Sequence, residues 1–362
     1  VPVHTGLFMP TVFGYLLNRP SLLAESRLMR RHHETVGAKR RMPVPQHAWT
    51  RRIFIAACVA MLAPLGLGHA QKPPAATVRV AALPLTNFTP LLIAREKGWF
   101  AEENLNVTWT MVAQGSVAVQ AVVGGSAEFA STGVLEPILA RGNGIDVSFV
   151  VANCRVRSGP PDASAIFVRD ADAIRGPADL AGKRVSVGLL SSVNYIHAVA
   201  WLRKNGVDPK SVQFLELPLP NVGDALLNNR IDAGWLVEPF MTVLSQSGKV
   251  RVLANPYHLT VPGMDISAYV ATESWLRANA DTARRFKRAV DRATAFMNDG
   301  PTEERLGWVS KFSGVRLELV ERMTLPVFAT AFNVESLQAN VELAAGQGLV
   351  KPFDVKTMVW KP

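Results

Sequence analysis

From residue 78 to residue 272, short β-rich runs alternate with runs of helical period, and this alternation constrains the fold more than any other feature. The expected strands are residues 78–83, 107–112, 128–131, 147–151, 165–168, 184–187, 212–217, 233–236, 250–253 and 266–272. Between them, residues 90–97, 116–123, 135–141, 193–205, 222–228 and 239–245 read as helices. Strand and helix alternating at this spacing predict parallel sheet with crossover helices, an α/β fold. Beyond residue 272 the pattern changes. Residues 274–279, 281–298, 302–312, 317–323 and 334–346 all read helical with no convincing strand, so terminal helices should pack back on one lobe. No internal repeat or low-complexity tract is visible.

Upstream lies a segment of a different kind. Thr50-Arg51-Arg52-Ile53-Phe54-Ile55-Ala56 opens an apolar run over residues 53–68, weakened by Pro64, Gly66 and Gly68. Gly68-His69-Ala70 closes it with small residues where a signal peptidase reads, making Gln71 the expected first mature residue. A basic start, a short apolar stretch and a small-residue exit form an export signal. The run is shorter than the roughly 20 residues a spanning helix needs. Its T-R-R-x-F-I pattern resembles the twin-arginine type. Residues 1–41 are expected to be an upstream extension from a misplaced start, with Met42 the better initiator, and residues 42–70 the cleaved signal.

Most of the positive charge belongs to this leader. Residues 1–70 hold nine of the 39 Lys and Arg but two of the 29 Asp and Glu, which leaves 30 against 27 afterwards. Nucleic-acid binding is therefore not implied. Only His197, His258 and Cys154 remain beyond residue 70, so neither an intrachain disulfide nor a usual zinc site can form. No G-x-S-x-G elbow is present, and residues 176–184 fail the P-loop spacing. No cofactor is expected. The basic run Arg284-Arg285-Phe286-Lys287-Arg288 reads as a solvated helix face.

Seven fragments occur in a telling order: Arg79-Val80-Ala81-Ala82-Leu83, then Pro90-Leu91-Leu92-Ile93-Ala94-Arg95-Glu96-Lys97-Gly98-Trp99-Phe100, then Glu103-Asn104-Leu105-Asn106-Val107 with Gln114-Gly115-Ser116. Gly124-Gly125-Ser126-Ala127-Glu128-Phe129-Ala130, Asp179-Leu180-Ala181-Gly182-Lys183-Arg184-Val185-Ser186-Val187-Gly188 and Arg230-Ile231-Asp232-Ala233-Gly234-Trp235 with Glu238-Pro239 follow. The chain thereby resembles the periplasmic substrate-binding proteins of ABC importers for sulfonate, taurine and nitrate, a group related to thiamine-pyrimidine biosynthesis proteins. Glu128 departs from the usual Asp, and beyond residue 272 only the helical pattern agrees. The cysteine-rich motif of the pyrimidine-synthesising relatives is absent.

The resemblance implies a type II periplasmic-binding-protein fold, with two α/β lobes and two hinge crossings near residues 164–169 and 266–272. Lobe one would comprise residues 78–163 and 271–362, and lobe two residues 164–268. It further implies a monomeric, non-enzymatic receptor in the periplasm that delivers a small organic anion, sulfonate- or carboxylate-like, to a membrane permease and its ATPase. Two alternatives stay open: a receptor for an amine-bearing, pyrimidine-like heterocycle, or an enzyme on the same scaffold.

Ligands of open α/β sheets lie beyond the carboxyl ends of the strands, where helix starts favour an anion. Four loops meet that description: Thr86-Asn87-Phe88, Gln114-Gly115-Ser116, Thr132-Gly133, and Ser191-Ser192 with Asn194. Their polar side chains either cap helices or touch ligand. Trp235 either stacks on an aromatic ligand or fills core, and Glu238 either reads an amine or complements a helix dipole. Tyr195, His197, Arg155, Arg157 and Asp265 carry the same ambiguity.

Overall fold

The computed structural model describes residues 74–362. The expected upstream extension and export signal, with Met42 and Cys58, lie outside the described residues. The first run comprises β1 (Ala76–Ala82), α1 (Thr89–Glu96), α2 (Trp99–Glu102), β2 (Leu105–Met111), α3 (Gly115–Val123), β3 (Phe129–Gly133), α4 (Leu135–Gly142) and β4 (Ser148–Arg155). The second comprises β5 (Ser164–Arg169), β6 (Arg184–Ser186), α5 (Val193–Lys204), β7 (Gln213–Leu215), α6 (Leu219–Leu227), β8 (Ala233–Val237), α7 (Phe240–Ser245), β9 (Val250–Ala254) and α8 (Pro256–Thr260). The chain then returns through β10 (Asp265–Ala271) to α9 (Glu273–Ala278), α10 (Ala280–Asp299), α11 (Thr302–Ser313), α12 (Leu317–Val320), β11 (Val327–Phe328) and α13 (Val334–Ala345).

These strands form a six-stranded sheet ordered β11-β4-β10-β3-β1-β2 and a five-stranded sheet ordered β7-β6-β8-β5-β9. Setting aside the short edge strand β11, both follow one plan. A first strand is flanked by the second and third in parallel, and then comes an antiparallel strand before the fourth. The antiparallel strand is in each case the one reached directly from the other sheet. β5 enters from β4, and β10 enters after β9 and α8. Strand β1 has a neighbour on each side, and Val80, Ala81 and Ala82 are buried on both of its faces, as a strand covered by helices on both sides requires.

The runs near which the crossings were expected, residues 164–169 and 266–272, form strands β5 and β10. Residues 164–169 are β5, paired along their length with β8 and β9, while 265–271 are β10, paired with β3 and β4. Both runs are rich in strand-forming residues because they are strands. The chain passes between the sheets at residues 156–163 and 261–264.

Helix α10 buries Ala283, Phe286, Ala289, Val290, Ala293 and Met297, one stripe at three- and four-residue spacing. Phe286 stacks on Phe129 of β3 with ring centroids 4.1 Å apart and on Phe100 at 5.6 Å. This seats the terminal helices on the six-stranded sheet. Helix α13 and the turn after it reach further and also touch α5 of the second run. Asn340 Oδ1 lies 3.1 Å from His197 Nε2, and Gln347 Nε2 donates to the Ile196 carbonyl at 2.9 Å. One strand, β11, interrupts the terminal segment where none was expected.

Candidate functional site

A cavity of about 300 Å³ lies between the two sheets and is lined from both. Helices α1, α3, α4, α5 and α6 begin near its wall, because each follows a strand whose carboxyl end points there. None of the five carries a side-chain cap on its first turn. No N-cap side chain serves the leading N–H groups, although on α4 the Glu136 carboxyl accepts from its own N–H, and a small anion could supply the others.

Nine of the thirteen expected site residues line this cavity: Thr86, Asn87, Phe88, Gln114, Gly115, Gly133, Ser192, Asn194 and Glu238. Several already have structural work. The Thr86 hydroxyl donates to the Glu238 carbonyl at 3.5 Å, linking the two sides of the cleft. Asn87 Nδ2 donates to Ser267 Oγ at 2.8 Å, and Phe88 packs edge-on to Tyr269. Ser192 does not cap α5; its hydroxyl donates to the Leu189 carbonyl at 2.6 Å. Asn194 is held at both ends, donating to the Val187 carbonyl at 3.2 Å and accepting from the Tyr257 hydroxyl.

The other four stay outside the lining. Ser116, on α3, and Ser191, in the loop before α5, are both half-buried. Thr132 is fully buried behind Gly115. Trp235 is also fully buried, 4.7 Å from the Tyr257 ring, and fills core.

Glu238 shows why its position is special. Its carboxylate accepts from Thr242 N at 3.2 Å and from the Thr242 hydroxyl at 2.8 Å, both on α7. It also accepts from Thr324 N at 3.2 Å, on the terminal segment that runs along the other sheet. Burial raises its pKa, and these three bonds oppose the rise. The residue complements a helix start and joins the two halves.

The remaining ambiguous residues lie off the cavity. His197 is fully buried between Asn340 and Thr260, and burial holds its imidazole down to about 4. Tyr195 packs edge-on to Phe214. Arg155 pairs with Asp265 at 2.9 Å, and Asp265 also accepts from Asn333 N, so both are tied into structure. Arg157 reaches the Leu325 carbonyl at 3.5 Å.

Among the lining residues that the sequence reading did not name are four polar ones, Glu136, Ser164, Tyr257 and Ser267. Glu136, in the first turn of α4, and Ser164, at the start of β5, both reach the cavity. Glu136 carried a faint signal: it is the lone charged residue between Glu128 and Arg141. The lining contains no Lys, Arg or His, and among the described residues no group of His, Cys, Asp and Glu could hold a metal ion.

This fold and cleft define a class of two-lobed solute-binding proteins. The chain belongs to the NMT1/THI5 like family, which it matches over residues 85–304 of its 362. It is 22% identical to the taurine-binding periplasmic protein of Escherichia coli K12 over 67% of this chain and 75% of that one. Identity to the formylaminopyrimidine-binding protein of Halalkalibacterium halodurans is 25%, over 59% of this chain and 64% of the relative. The alkanesulfonate-binding protein SsuA from Xanthomonas axonopodis pv. citri, solved bound to MOPS, superposes with a TM-score of 0.68 at 21% identity. That match covers 79% of this chain and 99% of SsuA, and the shared architecture is the periplasmic-binding-protein fold.

Proposed function

We propose that this chain is the solute-capturing receptor of an ABC importer, working in the periplasm and handing its cargo unchanged to a permease driven by an ATPase. Its lobes are residues 74–155 with 265–362, and residues 164–260, joined by the crossings at 156–163 and 261–264. The observation that carries this reading is the cavity lined from both sheets. A solute bound there touches both lobes and so favours the closed arrangement over the open one; a solute touching one lobe would not.

The cargo is a small organic anion, a sulfonate or carboxylate. Helix starts without side-chain caps on both lobes supply N–H groups and positive dipole ends. The taurine- and alkanesulfonate-binding relatives support the same class. A second reading, an amine-bearing heterocycle, is favoured by the carboxyl groups of the lining and by the formylaminopyrimidine-binding relative.

Thermal-shift titration with sulfonates, carboxylates and heterocycles tests the assignment. A cargo at 100 times its Kd adds about 2.7 kcal/mol to the folded state, a rise of roughly 4–5 °C in Tm for a chain of this size. The solute recovered afterwards should be chemically unchanged. Steady conversion of it by the purified protein would replace the receptor with an enzyme.

A further inference from the structure

We infer that Glu136 selects the occupant of this cavity, and that it receives an N–H donor on the solute, an amine in the simplest case. The inference rests on the reading of the cavity as a solute site and adds to it a second chemical group.

The geometry sets Glu136 apart from every other lining residue. Its carboxyl lies against two glycines. A Cβ on Gly115 would stand 2.6 Å from Oε1, and one on Gly133 would stand 2.6 Å from Oε2. Both distances are well inside van der Waals contact, so only glycine at these two positions lets the carboxyl take this place. Its Oε2 is buried and has no hydrogen-bond partner in the protein. Buried polar atoms are almost always paired, and an exception at a cavity wall points to a partner supplied from the cavity.

The contrast with Glu238 narrows the assignment. Glu238 lines the same cavity, yet three protein donors already serve its carboxylate. An incoming amine would have to displace one of them. Glu136 asks for a donor and displaces nothing. No Lys, Arg or His in the lining can answer it. Burial pushes its carboxyl up to about 7, as expected where no cation stands nearby, and a bound ammonium would restore the charged form. Its place in the first turn of α4 suits the helix dipole but leaves Oε2 unpaired.

Across the cavity, Ser164 Oγ of β5 is likewise buried without a partner. The two unpaired groups come from opposite sheets. A solute with an acid at the helix starts and an amine at Glu136 therefore meets polar atoms from both lobes. A protonated Glu136 donating to the acid of the solute is the competing arrangement, and it predicts no preference for an amine.

Calorimetric titration of the purified full chain with 2-aminoethanesulfonate and with ethanesulfonate separates these cases. The wild type should bind the amine-bearing probe at least roughly tenfold more tightly, the scale of one charge-assisted hydrogen bond. Glu136→Gln, close to isosteric, should bring the two affinities together. Equal affinities in the wild type, or a preference that survives Glu136→Gln, would overturn the inference while leaving the anion reading intact. Failure of both sulfonates, with Glu136-dependent binding of 4-aminopyrimidine, would overturn the anion reading and leave this one standing. Equal affinities in the wild type overturn the inference even if the variant does not fold.

Discussion

Phe286→Ala is expected to destabilise the folded protein by about 3–5 kcal/mol, the usual cost of removing a fully buried aromatic side chain. The ring lies at 0% exposure, stacked between Phe129 and Phe100 and edge-on to Tyr269. It therefore joins α10, α2, β3 and β10 at a single point. Its loss removes the packing of all three partners at once, and the rigid strands on one side cannot collapse into the gap. Arg288→Ala, two residues along the same helix, should cost less than about 1 kcal/mol. Its ion pair with Glu103 at 2.7 Å is exposed, and solvent already answers both charges. Urea denaturation of both variants checks the pair. Equal losses would mean that the terminal helices are not anchored on the six-stranded sheet through this ring.

Gly115→Val should abolish solute binding while leaving most of the folded structure in place. The glycine takes no left-handed backbone conformation, so the chain itself accepts a side chain. Space is the obstacle, since a Cβ would stand 2.5 Å from Thr132 Oγ1 and 2.6 Å from Glu136 Oε1. Thr132 is held in a buried strand and cannot retreat, so the Glu136 carboxyl is driven into the cavity. Overpacking of this kind costs about 1–3 kcal/mol. Binding suffers more, because valine and the displaced carboxyl occupy the place of the solute at the start of α3. A hundredfold rise in Kd would shrink a stabilisation of about 2.7 kcal/mol to about 0.4 kcal/mol at the same solute concentration. A thermal shift as large as that of the wild type would show that the solute does not sit beside α3.

The sequence announces the strands that run through the core and is nearly silent about what joins the halves. β1 and β3 were readable because each is a short apolar run bounded by turn residues. The places where the chain changes lobes are harder to read for the same reason. β5 and β10 are strand-like stretches, and nothing local tells a strand that has just crossed from one that is about to cross. The helix period of α10 placed Phe286 in the core, yet the basic residues around it are not simply solvated. Arg285 pairs with Asp281, Lys287 with Asp291, and Arg288 with Glu103.

At the site, polar residues before helices were found by their loop positions, and most do line the cavity. Their hydrogen-bond partners were not legible, because Ser192, Asn194 and Glu238 are served by groups that are distant in sequence or set by backbone geometry. Glu136 was missed because an acid in a first turn looks like a dipole complement. Only the fold reveals that both glycines beside it are kept clear for its carboxyl. His197 becomes intelligible only once α13 is seen to bring Asn340 against α5.

The central claim is that one small solute bridges two lobes. A crystal structure of the protein grown with 2-aminoethanesulfonate tests it most directly. The account predicts the solute inside the cavity, its acid within hydrogen-bond distance of N–H groups at a helix start and its amine against Glu136, with contacts to both sheets. A solute bound elsewhere, or one touching a single sheet, would contradict it.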